Sequence, residues 1–230
     1  MDAAAESTKP VVYQGQFGEF TVTPDDRRGV VIYRSGLMLS ALCFAIGATL
    51  VLWQGNAPMV QQALTPLYTG FAAGLAVSLL TIHIYMAPLH RALQAFWVIG
   101  AGASLVIAHF YPEPFLLSVY QHPITILGVG FLFAALTGIF FKEAFCFDRL
   151  ETKLLTPTVP LILLGHLTGV LPLVAERTLL AVWAVLFMVF ALRKAFQAIP
   201  PDIGDKSVFA YLKQQEAIQQ FSPTNQSLRD

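Results

Sequence analysis

Long apolar runs alternate with short polar breaks along this chain, and that pattern predicts a set of membrane-crossing helices. A hydrocarbon core about 30 Å thick asks for about 20 apolar residues per helix. Six stretches meet or approach that length: Gly36 to Trp53, Pro66 to Met86, Ala92 to Phe110, Ile124 to Phe141, Pro157 to Val174 and Thr178 to Arg193. The last two together are too long for one tilted helix, and Pro172, Glu176 and Arg177 interrupt them, so a tight helical hairpin is expected there.

The flanks read differently. VVYQGQFGEFTV, residues 11 to 22, mixes aromatic and β-branched positions with Gly15 and Gly18, the pattern of a short hairpin. Thr23 then suits an N-cap, Pro24 the first helical position, and Asp25 and Asp26 the first turn, so a helix should begin before the membrane. The polar start, Met1 to Thr23, lacks the form of a secretory signal peptide. After Lys194, IPPDIGD reads as a linker. Ser207 to Gln220 reads as a short helix capped by Asp205 or Ser207, with Val208, Phe209, Leu212 and Ile218 partly on one face. Packing on its own protein is the default for such a helix; a membrane surface or a partner are the alternatives. The expected division is 1–34 as a cytoplasmic segment and interfacial helix start, 35–195 as the transmembrane domain, and 196–230 as a cytoplasmic tail.

Composition agrees with the pattern. With 56% hydrophobic residues, 12% charged and a mean hydropathy of +0.63, the chain is too apolar for an ordinary soluble domain. The expected fold class is all-α, a polytopic bundle of six transmembrane helices. The zero net charge hides a segregation: of the 14 Lys and Arg residues, only Arg177 falls on the far side of this threading. Lys and Arg are retained in cytoplasmic loops, so both termini are expected on the cytoplasmic or equivalent stromal side. Basic residues scattered at membrane ends do not make a nucleic-acid stripe, so no nucleic acid is expected as a partner; the lipid bilayer and other membrane-protein subunits are.

The span centres hold no Asp, Glu, Lys or Arg, which argues against proton-coupled pumps and carriers of charged substrates. Histidine remains. His166 falls near mid-membrane in the fifth stretch and His83 toward the cytoplasmic end of the second, with a depth difference of roughly 9 Å at about 1.5 Å per helical residue. Hydrogen bonding across helices is the leading reading of both. Ligation of haem or a pigment such as chlorophyll is the alternative, although no cofactor and no metal is expected. Gly70 and Gly74, Gly100 and Ser104, and Gly165 and Gly169 each stand four apart, as close-packing helix faces do. Met86, His90 and Arg91 form a cytoplasmic corner able to meet lipid phosphate or a partner, and Lys142, Arg149 and Lys153 mark a second such loop. Cys43 and Cys146 read as free thiols. Six spans also suggest an intramembrane protease of the rhomboid type, but Gly102, Ala103, Ser104, Leu105 lacks the second glycine of that nucleophile motif, and no His lies on the sixth span to serve as base. No catalytic residue is assigned, and the chain is expected not to be an enzyme.

The block YQGQFGEFTVTPDDRRGVVIYR running into SGLMLSALCFAIG, together with IHIYMAPLHRALQ, resembles the cyanobacterial and plastid integral membrane proteins grouped as domain of unknown function 2301. The likeness covers most of the chain. It implies a plasma or thylakoid membrane and an oxygenic photosynthetic origin, and brings no catalytic residues with it. The expected role is a non-enzymatic assembly or stabilising factor for a membrane complex. The alternatives are a transporter or channel for a small neutral or apolar solute, and a haem- or pigment-binding protein.

Overall fold

A computed structural model describes residues 11–55 and 57–221. Lys9 and Arg229, two of the basic residues placed on the cytoplasmic side, lie outside the described residues, as does the end of the tail beyond Phe221. The chain divides into two compact units, residues 31–197 and the paired ends 1–30 with 198–230.

In the terminal unit, β1 (Val12–Gly15) pairs antiparallel with β2 (Gly18–Thr21), setting Tyr13 opposite Phe20 with their rings stacked at 5.6 Å. Helix α1 (Pro24–Gln54) starts in a reciprocal capping box: the amide of Asp26 donates to Thr23 Oγ1 at 3.2 Å and the amide of Thr23 to Asp26 Oδ2 at 2.8 Å. A short α8 (Pro200–Ile203) precedes α9 (Lys206–Phe221). The hairpin is held against α9 by backbone donors at its turn: the Gln16 amide donates to Asp205 Oδ2 at 2.6 Å and the Phe17 amide to Ser207 Oγ at 3.0 Å. Phe17 stacks on Tyr211 at 4.0 Å, and Lys206 reaches Asp26 at 2.7 Å. Gly15 is required here, because a Cβ would lie against the Asp205 and Ser207 side chains.

The membrane unit consists of α1 from Val31 onward, α2 (Pro58–Thr81), α3 (Ala87–Phe110), the short α4 (Phe115–Gln121), α5 (Ile126–Phe147), α6 (Leu150–Leu167) and α7 (Leu173–Phe196). Five helices among the described residues are long and apolar enough to cross a membrane: α1, α2, α3, α5 with its preceding 3-10 turn, and α7. The sixth long helix, α6, packs between α5 and α7. The chain is thus an all-α polytopic membrane protein. Helix positions differ from the hydropathy reading in two places. The second helix is 58–81 rather than 66–86, and Pro66 lies inside it. The fifth is 150–167 rather than 157–174, again with prolines, Pro157 and Pro160, inside. In lipid-embedded helices the carbonyls that proline leaves unbonded find other partners, so proline marks a boundary less reliably than in water. The polar outer turns Gln61–Gln62 and Leu150–Thr156 are helical without being apolar, and a hydropathy window misses them.

Small residues bring the first helices together. A Cβ on Gly74 would lie 2.6 Å from the carbonyl oxygen of Gly36, and one on Gly36 2.5 Å from that of Gly74. Ser40 Oγ donates to Phe71 O at 2.9 Å and Ser78 Oγ to Tyr33 O at 3.0 Å across the same contact, while Gly70 faces Cys43 Sγ. Gly100 is seated on the backbone of Leu132 in α5, and Ser104 bonds Tyr68 of α2 at 2.6 Å. Without a hydrophobic force between helices in lipid, such close approach and interhelical bonding hold the bundle. Gly165 and Gly169 are a correction: they are not a helix-packing face. Gly165 makes room for Leu171, and Gly169, at φ +66°, is the left-handed residue that ends α6. The core of the unit is apolar, with Leu37, Leu75, Leu132, Phe140, Phe187 and Phe190 fully buried.

Candidate functional site

The end of the bundle where α5 stops and α6 starts carries most of its ionisable side chains. Helix α5 ends at Phe147, and Asp148 turns the chain in the left-handed conformation (φ 51°) so that α6 can pack back along it. This places Lys142 and Glu143 in the last turns of α5, Arg149 at the N-cap of α6, and Lys194 with Gln197 at the end of α7. Glu143, fully buried, sits at the centre. Its Oε1 is 2.9 Å from Lys142 Nζ and accepts from Tyr33 Oη at 3.1 Å, and its Oε2 is 2.7 Å from Lys194 Nζ. Arg149 Nη2 donates to Gln197 Oε1 at 2.6 Å, and Arg34 Nη1 to the Gln197 carbonyl at 2.5 Å. Arg193 pairs with Glu151 at 2.9 Å, and Lys153 with Asp148.

The basic loop is therefore a correction to the open surface read from charge alone. The Lys142 side chain is 12% exposed and that of Lys194 wholly buried, both turned inward on Glu143. Arg149 is tied to Gln197, and Lys153, 49% exposed, remains on the outside. Glu143 and Lys194 were passed over by reasoning on span centres, since both lie in terminal helical turns. The available signal was their setting, FFKEAF and LRKAF, where a charge is flanked by apolar residues on both sides.

At the same end, the corner after α2 splits. Met86 and Arg91 are exposed. His90 is not part of that surface: its Nε2 lies 2.7 Å from the carbonyl of Leu79, with Gln94 Nε2 donating to the same oxygen at 3.3 Å, so the pair caps the C-terminus of α2. His83 lies beyond the end of α2, in the extended segment before α3, and not within the helix.

His166 is a second correction, because it lies in the last turn of α6 rather than at mid-membrane. Its Nδ1 is 2.7 Å from Glu176 Oε1 of α7 and its Nε2 2.9 Å from the Tyr120 carbonyl of α4, whose ring stacks on it at 4.6 Å. The Tyr120 phenol is pushed above its ordinary pKa by partial burial and then by the charge and hydrogen bond of Glu176. With both ring nitrogens bonded, His166 works as a tie between α4 and the α6–α7 turn. His83 and His166 stand at opposite ends of the bundle, so they do not form one site. Arg177 also has a structural task here: its Nη2 donates to Leu52 O at 2.8 Å, near the C-terminus of α1, where a cation complements the helix dipole.

An apolar cleft of about 350 Å³ runs between α5 and α6, lined by residues such as Leu127, Phe131, Thr137, Pro160 and Leu164, and includes neither histidine. Among the described residues no three His, Cys, Asp or Glu side chains gather as metal ligands do. Cys43 and Cys146 are free thiols, the second exposed.

No curated protein and no solved structure matches the chain. Residues 77–211, from the end of α2 into α9, match the model of a family described as uncharacterised integral membrane protein. That match contains IHIYMAPLHRALQ, the charged cluster on Glu143 and the His166 tie, and spans more than half of the chain. Multi-pass insertion into a membrane follows both from this match and from the apolar helices, and the chain belongs to the family of integral membrane proteins grouped as domain of unknown function 2301.

Proposed function

We propose that this protein is a non-enzymatic assembly or stabilising factor for a complex of a photosynthetic membrane. The observation that supports this reading is the terminal unit, in which residues 11–30 and 198–221 are clasped into one small body that leaves Val11, Val12, Phe17, Tyr211 and Leu212 exposed. Apolar side chains exposed outside the membrane helices suit contact with another protein. The charge distribution orients that unit, with both termini, toward the cytoplasmic or stromal side over six crossings. The test is affinity purification of the full chain in mild detergent with mass spectrometry. A defined set of membrane subunits should copurify near stoichiometrically and be lost on Leu212→Glu. Repeated recovery of the protein alone counts against the proposal.

A carrier for a small apolar solute is the second reading, favoured by the cleft between α5 and α6. Uptake of a neutral apolar tracer into vesicles holding the protein, no faster than into empty vesicles, would remove it. The placement of His83 and His166 lends no support to a shared haem, and a colourless purified protein would close that reading.

A further inference from the structure

The bonds around His166 fix how many protons it shares with Glu176. Its Nε2 lies 2.9 Å from the Tyr120 backbone carbonyl, which can only accept, so Nε2 carries a hydrogen. Its Nδ1 lies 2.7 Å from Glu176 Oε1, and a hydrogen bond of that length needs a second proton between the two atoms. That proton sits on Nδ1, facing a carboxylate, or on Oε1, facing a neutral ring. In either arrangement His166 and Glu176 together hold two protons, one more than a neutral imidazole beside a carboxylate. Without it, the Nδ1 lone pair and a carboxylate oxygen would be pressed together with nothing between them.

No other group at this end takes over that bond. From α4, the Tyr120 phenol reaches the other carboxylate oxygen, Oε2, at 3.5 Å. From α7, Arg177 is turned to the Leu52 carbonyl. The α6–α7 turn, Thr168 to Pro172, and α5 as far as Phe141 hold no ionisable residue except His166's own neighbours already named. The His109 ring lies against Phe110 and the His122 ring against Tyr111, and Glu113 Oε2 is buried without a partner, so among the described residues none of the three bonds to the pair. The His166 and Glu176 side chains are 18% and 14% exposed, which leaves water as the source of the proton.

The bond holds one end of α4. The other end is packed: Phe115 is buried, with its ring 4.8 Å from that of Tyr68 in α2. Tyr120, 50% exposed, is held by its carbonyl bond to His166 and by the ring stack at 4.6 Å. We infer that His166 and Glu176 form a proton-binding site that acts as a latch: with the proton bound, the end of α6 holds the Tyr120 end of α4, and release of the proton to water frees it.

Hydrogen–deuterium exchange of the full-length protein in detergent tests this, followed on peptides covering α4 and normalised to the intrinsic exchange rate at each pH. The range is about pH 5 to 8, where histidine changes charge. The closed latch holds one more proton than the open one, so closure is favoured at low pH and lost as pH rises. Protection of the α4 amides should therefore fall by up to about tenfold per pH unit, while the middle of α5 stays protected. Glu176→Gln separates the tie from the proton: a glutamine amide donates to Nδ1 itself, so the bond to Tyr120 persists on a neutral ring and the pH step disappears. Tyr120→Phe should keep the step. Wild-type protection that does not change with pH overturns the inference whether or not the variants fold. So does the same step in a folded E176Q protein, or a step lost in Y120F, which would assign it to the phenol.

Discussion

Glu143 of α5 and Lys194 of α7 meet at 2.7 Å with both side chains wholly buried, although each lies just beyond the end of an apolar run in the sequence. The contact joins two helices that also share Phe140, Phe187 and Phe190, whose rings meet edge to face at 5.2 and 5.7 Å. Burying two charges is costly, and the bundle offsets it with further partners: Tyr33 and Lys142 on the carboxylate, and the Phe147 face under the ammonium.

Removing the carboxylate should therefore be severe. Glu143→Gln keeps the shape but removes the carboxylate charge that faces the buried Lys194 ammonium, with an expected loss of about 3–5 kcal/mol. Denaturant unfolding of the purified protein measures it. The Glu143→Leu, Lys194→Met double variant should be less destabilised than Glu143→Gln. A Glu143→Gln protein as stable as wild type would show that the pair contributes nothing.

The α1–α2 contact makes a sharper steric prediction. Gly74→Val should push the Gly36 backbone away and destabilise the bundle by about 1–3 kcal/mol, the usual cost of overpacking. Gly102 is the internal control, because nothing lies within 4 Å of a Cβ placed there. Gly102→Ala should be neutral or stabilising by up to about 1 kcal/mol through helix propensity. Equal effects at the two positions would contradict the packing described.

Asp205 makes the clasp of the terminal unit dependent on pH. Its carboxyl is held below the usual carboxylate range first by the Ser207 hydroxyl and then by the Gln16 amide. A depressed folded value means stability that is fully present above the ordinary carboxylate pKa, about 3.9, and is lost as pH falls through the lower folded value. Exchange protection of the Gln16 and Phe17 amides, normalised to an unstructured peptide at each pH, should fall in that acid window. Asp205→Asn should lack this step; a wild-type chain protected equally throughout would refute it.

Orientation can be read from a native thiol. Cys146 is exposed at the basic end of the bundle, whereas Cys43 faces Gly70 in the α1–α2 contact. A membrane-impermeant maleimide should label Cys146 in inside-out vesicles and leave it unlabelled in intact cells or right-side-out vesicles. The reverse pattern would invert the topology inferred from charge.

Much of the architecture was legible because lipid imposes a simple rule: backbone groups must be satisfied inside helices, and helices must be long and apolar. The capping box at Thr23 and Asp26 and the hairpin at Gly15 and Gly18 were equally local and equally readable. Helix α4 was not, since seven residues between two longer helices give no hydropathic period. The polar groups were harder still. His166 was placed several residues too deep because the Gly169 ending was read as a packing glycine. Lys142 and His90 looked like surface because a sequence does not say which way a side chain at a helix end turns.

By itself, then, the sequence determined that this is a membrane protein, where most of its helices run and which face its charge favours, since these follow from composition and local periodicity. Tertiary packing alone decided the rest. It turned Lys142 and Lys194 inward on Glu143, set His166 between Tyr120 and Glu176, and assigned the isolated Arg177 to the end of α1. Each of these contacts joins residues on different elements, and such distances are set by how the elements pack and not by any spacing along the chain.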